Sequence, residues 1–263
     1  MNESIPIHNE NDFQGMRVAG NLAATILDDL SDIIKIGTTT EDIDLFCRKR
    51  IKELECKSAT IGYKGFEWAC CTSVNHVVCH GIPSKDKVLK NGDIINVDVT
   101  VIKDGYYGDT SKMYLIGDAV PIKARKLVQV TYECMMRAIE IVKPGVKLNE
   151  IGGVIEQHAH SHGFSVVKDF CGHGIGKTFH AAPSVVHYFE PAVKTILKEG
   201  MFFTIEPMIN AGRFETKVRS DGWTAVTRDK SLSAQFEHTI AVTKDGYEIF
   251  TNSPKGIKIA EVA

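Results

Sequence analysis

The chain has 263 residues, 43% of them hydrophobic, with 31 Lys and Arg against 33 Asp and Glu, so it can bury a sizeable core and carries a net charge of −2. That balance, without a long run of like charge, argues against nucleic acid as the substrate, and no apolar run approaches the roughly 18 residues that a membrane span needs. Seven cysteines without CxxC spacing suit a reducing compartment, and the opening MNESIPIHNEND lacks the basic and apolar parts of an export signal, so a soluble cytoplasmic protein is expected.

Phe13, Met16, Leu22, Ile26, Leu30 and Ile33 recur at helical spacing over 11–35, Gly37 acts as a stop, and Thr40 is the expected cap of a second helix reaching Leu54. Over 94–101 the pattern changes to alternation: Ile95, Val97, Val99 and Val101 share one strand face, while Asn96, Asp98 and Thr100 share the other. A helix over 124–142 ends at Pro144-Gly145, and another covers 149–163. Setting IKIGTTTEDI (34–43) on VKPGVKLNEI (142–151) gives an offset of 108 residues, which also sets KNGDIINVD (90–98) on KEGMFFTIE (198–206). Two helices followed by strands therefore occur twice, at a period too long for a solenoid. The expected fold class is α+β: one domain over 1–263, with pseudo-symmetric halves about 12–120 and 121–250 that share one sheet and one core around a cleft.

The offset of 108 pairs Asp98 with Glu206, which shares its strand face with Thr204 and opposes Phe203 and Ile205. A solvated sheet face is the ordinary place for either acid. Recurrence at matching places in both halves points instead to a shared cleft. Asp109 in YYGDTSKMYLIG and Glu237 in LSAQFEHTIAVT stand in similar settings. Four strand-borne carboxylates in one cleft would repel one another unless cations lie between them, and two divalent ions would balance them. Carboxylates with one or two histidines suit Mn²⁺, Fe²⁺, Co²⁺ or Zn²⁺ in an open two-metal site.

His173, in CGHGIGKTFH (171–180), has glycines on both sides that let backbone approach closely, and is read as a further ligand. His80 in VVCHGIP and His180 in KTFHAAP are by themselves more ordinary, since packed or half-exposed histidines are common in such settings. His158, His160 and His162 in HAHSH lack the glutamate of HExxH and are read as a surface cap, where imidazoles suit the end of a helix. Gly176-Lys177-Thr178 imitates the end of a phosphate loop, but Cys171 stands where its first glycine belongs and FHAAPSVVHYFEP follows without helical period, so Lys177 and Thr178 are read as incidental.

The segments VCHGIP (78–83), INVDVTVIKDGYYGDTSKM (95–113), CGHGIGKTFH (171–180), FTIEPMINAG (203–212), DGWTAVT (221–227) and SLSAQFEHTI (231–240) together resemble the type I methionine aminopeptidases of bacteria, from about residue 8 to the end. The resemblance implies the pita-bread fold, a curved and mainly antiparallel sheet with internal pseudo-symmetry. It implies Asp98, Asp109, His173, Glu206 and Glu237 as ligands of two divalent ions, with Asp109 and Glu237 bridging. His80, His180 and Glu206 would be catalytic, and Tyr63, Phe66, Cys71, Phe179 and Trp223, with His80 and His180, would line the substrate pocket. Asn75, Val77 and Ser233 would offer backbone oxygens to a monovalent cation, Na⁺ or K⁺.

The implied substrates are nascent chain N-termini after deformylation, met by a monomer in transient contact with the ribosome. Thr60, Glu67-Trp68 and Ala181-Ala182 depart from the common bacterial pattern and bear on substrate preference. Two other readings are an Xaa-Pro peptidase of the same fold and a binding protein that has the scaffold without the activity. Loss of one or more of the five ligands would mark the latter.

Overall fold

The computed structural model describes residues 4–262; residues 1–3 and 263 of the expected domain lie outside the described residues. Helix α1 spans Glu10–Leu30 and starts from a capping box, in which the Asn9 side chain accepts backbone N–H bonds and the Asp12 carboxylate accepts the Asn9 backbone N–H. It stops short of the expected 35, because Ser31 closes it and residues 31–33 form a turn. Helix α2 spans Thr40–Glu53, but its cap is Thr39, whose hydroxyl accepts from Asp42 N–H. Thr40 is buried and instead ties α2 to the chain at Ser84, donating to its carbonyl and accepting from its N–H.

The longest hairpin pairs Ile94–Lys103 with Tyr106–Ile116 in antiparallel register, so that Asp98 faces Ser111 and Thr100 faces Asp109. Ile95, Val97, Val99 and Val101 turn toward α1 and α2 and pack with Ile26, Leu27, Leu30, Ile43 and Cys47. Each such side chain contributes about 1.5–3 kcal/mol on burial. The opposite face is not solvated: Asn96 and Thr100 are buried there.

In the second half, helix α3 spans Ile122–Glu140 and helix α4 spans Leu148–Ser161, each ending two residues short of the expected end, with His162 as the terminal cap of α4. They pack with the inner faces of Phe202–Ile205 and His238–Val242 in a second apolar cluster, which includes Phe203, Ile205, Ile240, Leu127 and Ile155. The single core expected from the sequence is therefore divided, one cluster beneath each helix pair, although Ile94, Met113 and Leu115 of the first hairpin extend into the second cluster.

The sheets of the two halves meet edge to edge. Ser111 and Glu237 exchange backbone hydrogen bonds at 3.4 and 3.2 Å, and the Thr110 hydroxyl donates to the Glu237 carbonyl at 2.7 Å. This seam places the acid of one half against the longest hairpin of the other.

Candidate active site

Alternation along the hairpin puts Asp98 and Thr100 on the face that carries Asp109 and Ser111 of the partner strand. Glu206 follows the strand Phe202–Ile205, and Glu237 sits between Ser233–Gln235 and His238–Val242. His173 is the middle residue of Gly172–Gly174, which pairs with the Phe202–Ile205 strand. Its glycines have a physical cause: a Cβ on Gly172 would lie 2.4 Å from the Thr204 carbonyl oxygen, and one on Gly174 would lie 2.0 Å from that of Ala182. Only bare backbone lets this strand thread between its neighbours and present the imidazole.

His173 Nε2 lies 3.5 Å from Asp109 Oδ2 and 3.7 Å from Glu206 Oε1. One ligand atom each from Asp109, His173 and Glu237 lies within 4.8 Å of the other two. His173 Nδ1 is 3.1 Å from the Gly174 carbonyl, to which it donates, leaving Nε2 free to face the acids. The acids are held in turn: the Thr100 hydroxyl donates to Asp109 at 2.6 Å, and the Thr204 hydroxyl donates to Glu206 Oε1 at 2.7 Å while accepting from His173 N–H at 3.0 Å. The Gln235 amide donates to Glu206 Oε2 at 3.3 Å, and buried His187 accepts the Glu206 backbone N–H on Nε2 at 3.1 Å.

Thr100, Thr204 and Gln235 stand two residues from an acid on the same strand face, a spacing that could have flagged them; His187 carries no such signal.

Desolvation, then the neighbouring carboxylates, raises Asp98 and Glu237 well above the usual carboxylate range. Desolvation also pushes Glu206 up to about 7, with Asp109 adding to it against the opposing pull of His173. Desolvation pulls His173 down, but its bonding to Asp109 and the Gly174 carbonyl and its attraction to Glu206 and Asp109 together outweigh that and raise it to about 9. So many carboxylates in so dry a place favour protonation unless cations balance them, and hard and borderline divalent ions take this oxygen-rich set with one imidazole. The donor set thus fits divalent metal.

The five residues line a cavity of about 540 Å³, together with Tyr63, Phe66, Cys71, His80, Phe179, His180 and Trp223. Aromatic contacts join its walls: Tyr63 to Phe179 at 5.0 Å, Phe66 to Trp223 at 5.0 Å and His80 to Trp223 at 6.1 Å between centroids. His180 stacks on Tyr63 at 5.2 Å and lies 4.1 Å from the His173 ring. Desolvation, and then His173, lowers His180 to about 4, and desolvation also lowers His80, so both rings are neutral near pH 7. His80 has a φ of 55°, a left-handed conformation uncommon outside glycine, and such conformations cluster at functional sites. Phe170, Cys79 and Met208 also line the cavity and were not singled out in the sequence, whereas Thr60, a departure from the bacterial pattern, lines it as well.

Asn75, Val77 and Ser233 lie together but outside this cavity: Ser233 N–H donates to the Asn75 carbonyl at 2.8 Å, and Val77 pairs with Val226. Lys177 is not incidental, since its Nζ reaches Asp12 on α1. His158 does more than cap α4, because it pairs across to Glu133 on α3.

Residues 14–244 match the family model described as metallopeptidase family M24. The chain belongs to metallopeptidase family M24. Within the family it is 57% identical over 253 residues to a methionine aminopeptidase of Rickettsia prowazekii (strain Madrid E), covering 96% of this chain and 97% of that one. It is 49% identical over 249 residues to the methionine aminopeptidase of Escherichia coli (strain K12), covering 94% of each. The crystal structure of the Rickettsia prowazekii methionine aminopeptidase superposes with a TM-score of 0.92 over 94% of this chain and 100% of that chain. A prolidase from Pyrococcus furiosus, 21% identical with a TM-score of 0.75 over 93% of this chain and 65% of its own, shares the fold alone. The architecture is the pita-bread fold of the family, and the chain is a metal-dependent aminopeptidase.

Proposed function

We propose that this enzyme removes the initiator methionine from new polypeptides when the second residue is small, and that Asp98, Asp109, His173, Glu206 and Glu237 hold two divalent ions for the reaction. The observation that carries the reading is the joining of this donor set to an aromatic wall in one cleft. When bound, the ions supply an acidified water and an electrophile for the scissile carbonyl. Co²⁺, Mn²⁺, Fe²⁺ and Zn²⁺ all suit the donors, and affinity order does not choose among them.

The chain's own residues supply the rest. Tyr63, Phe66, Cys71, Phe179 and Trp223 give an apolar, polarisable wall for an unbranched thioether. Burial raises the Cys71 thiol well above its usual range, so it stays neutral and acts as a small apolar surface. His180, steadied by Tyr63, donates a hydrogen bond to the carbonyl oxygen as negative charge develops there. His80 holds the amide nitrogen side. Glu206 carries a proton to the leaving nitrogen, its carboxylate aimed by Thr204 and Gln235. The substrate's free amine is anchored at the acidic end, so a formylated chain is not a substrate and deformylation comes first.

Asn75, Val77 and Ser233 would serve a monovalent cation, Na⁺ or K⁺, that steadies the turn between the two strands they join. The enzyme would act as a cytoplasmic monomer in transient contact with the ribosome. Among the described residues no helix is long and apolar enough to cross a membrane.

The test offers metal-loaded enzyme Met-Ala-Ser, Met-Leu-Ser and Ala-Pro-Ser. Cleavage of the first alone supports the reading. Cleavage of Ala-Pro-Ser alone would return the chain to the Xaa-Pro peptidases, and cleavage of none to a binding role.

A further inference from the structure

Glu133 on α3 and His158 and His162 on α4 form a second cluster of metal-ligating side chains, and none of the three lines the catalytic cavity. His158 and His162 are four residues apart, on one helix face, with ring centroids 4.6 Å apart. Glu133 Oε2 lies 2.8 Å from His158 Nε2 across the two helices. One ligand atom from each of the three lies within 4.8 Å of the other two. A tetrahedral zinc site with nitrogen and oxygen ligands at about 2.0–2.1 Å needs donor separations of about 3.3 Å, so small side-chain adjustments close the set.

Two further features fit a ligand role. His162 Nδ1 lies 3.0 Å from the His158 carbonyl, and the tautomer that donates there leaves Nε2 unprotonated, the state a metal requires. The Gln129 amide donates to Glu133 Oε1 at 2.9 Å, which fixes that carboxylate while Oε2 faces the imidazoles. Both histidines belong to the last turn and cap of α4, where the negative end of the helix dipole favours a cation.

We propose that Glu133, His158 and His162 bind one borderline divalent transition-metal ion, completed by water on the half-exposed side, and that the ion ties the end of α4 to α3. Two imidazoles and a carboxylate suit Zn²⁺, Co²⁺, Ni²⁺ or Cu²⁺ over Mg²⁺ or Ca²⁺. The site is separate from the catalytic donors, and its existence does not depend on which peptide the enzyme cleaves.

Zinc is the probe. Tag-free protein is dialysed to equilibrium at one buffered free zinc concentration, and bound zinc per chain is counted by elemental analysis. The wild type is expected to hold one ion more than His162→Ala and one more than Glu133→Gln, whereas His160→Ala, one turn position away, matches the wild type. Zinc, and not magnesium, should also raise the melting temperature of the wild type more than that of Glu133→Gln, a substitution that preserves shape and hydrogen bonding. Equal zinc counts in the wild type, His162→Ala and Glu133→Gln would overturn the proposal. If His162→Ala does not fold, the comparison with Glu133→Gln decides alone.

Discussion

Lys177 Nζ lies 2.9 Å from Asp12 Oδ1, so the loop that carries the cavity-lining residues Phe179 and His180 is pinned to the first turn of α1. Asp12 also accepts the Tyr106 hydroxyl at 3.0 Å and the Asn9 backbone N–H at 3.0 Å. Desolvation pushes its carboxyl up, but the hydrogen bonds from Lys177, Asn9 and Tyr106 together win and lower it from 3.8 to about 2. A carboxyl whose folded value lies below its unfolded one adds stability that is fully present above the unfolded value and lost as pH falls toward the folded one. Stability from Asp12 should therefore fade between about pH 4 and about pH 2. With Lys177 largely exposed and screened, Asp12→Asn should cost on the order of 1 kcal/mol at pH 7. Urea midpoints for the two proteins should differ at pH 7 and converge as pH falls through that window; a constant gap contradicts the account.

Thr204 is the short link between His173 and Glu206, accepting from one backbone and donating to the other carboxylate. Thr204→Val keeps the shape and removes both bonds. Loss of such a support commonly costs about 10–100-fold in metal affinity or activity. A metal titration of Thr204→Val should show weakened binding with the fold intact by circular dichroism, and unchanged affinity would show that the hydroxyl does not position the donors.

On the proposed role of His180 as donor to the carbonyl oxygen when charge builds there, His180→Ala should lower kcat by about 10²–10³-fold and leave KM for Met-Ala-Ser nearly unchanged. A rise in KM at constant kcat would move His180 from the transition state to ground-state binding.

Phe179 is half-buried and touches Tyr63, Tyr107 and His180, so its truncation removes pocket wall with little loss of core. Phe179→Ala should reduce the preference for Met-Ala-Ser over Ala-Ala-Ser by about 10–200-fold, the worth of a few apolar contacts in a hydrophobic pocket. An unchanged ratio of kcat/KM values would place methionine elsewhere.

Much of this was legible because alternation is a local property. Ile95, Val97, Val99 and Val101 declared the core face, so Asp98 had to point away from it, and the repeat carried the same inference to Glu206. The sequence could not show that the opposite face is buried under the other half, since that follows from a seam between Ser111 and Glu237, residues 126 apart in the chain. The start of α2 was visible as a cap residue but displaced by one to Thr39, because either neighbouring threonine can cap and only tertiary contact with Ser84 assigns Thr40 to burial. The pairings of Lys177 with Asp12 and His158 with Glu133 join distant or separate elements and have no local pattern to announce them. The motif resemblance gathered the aromatic wall, which periodicity alone leaves indistinguishable from core.

The measurement that bears most directly on the central claim is release of free methionine from Met-Ala-Ser, followed by mass spectrometry, for protein stripped of metal and then titrated with Mn²⁺ or Fe²⁺ under anaerobic conditions. The account requires no release from stripped wild-type protein, recovery as ions are restored, and no recovery in Asp109→Asn at the same ion concentrations. Full release from stripped protein, or recovery of Asp109→Asn equal to the wild type, would contradict it.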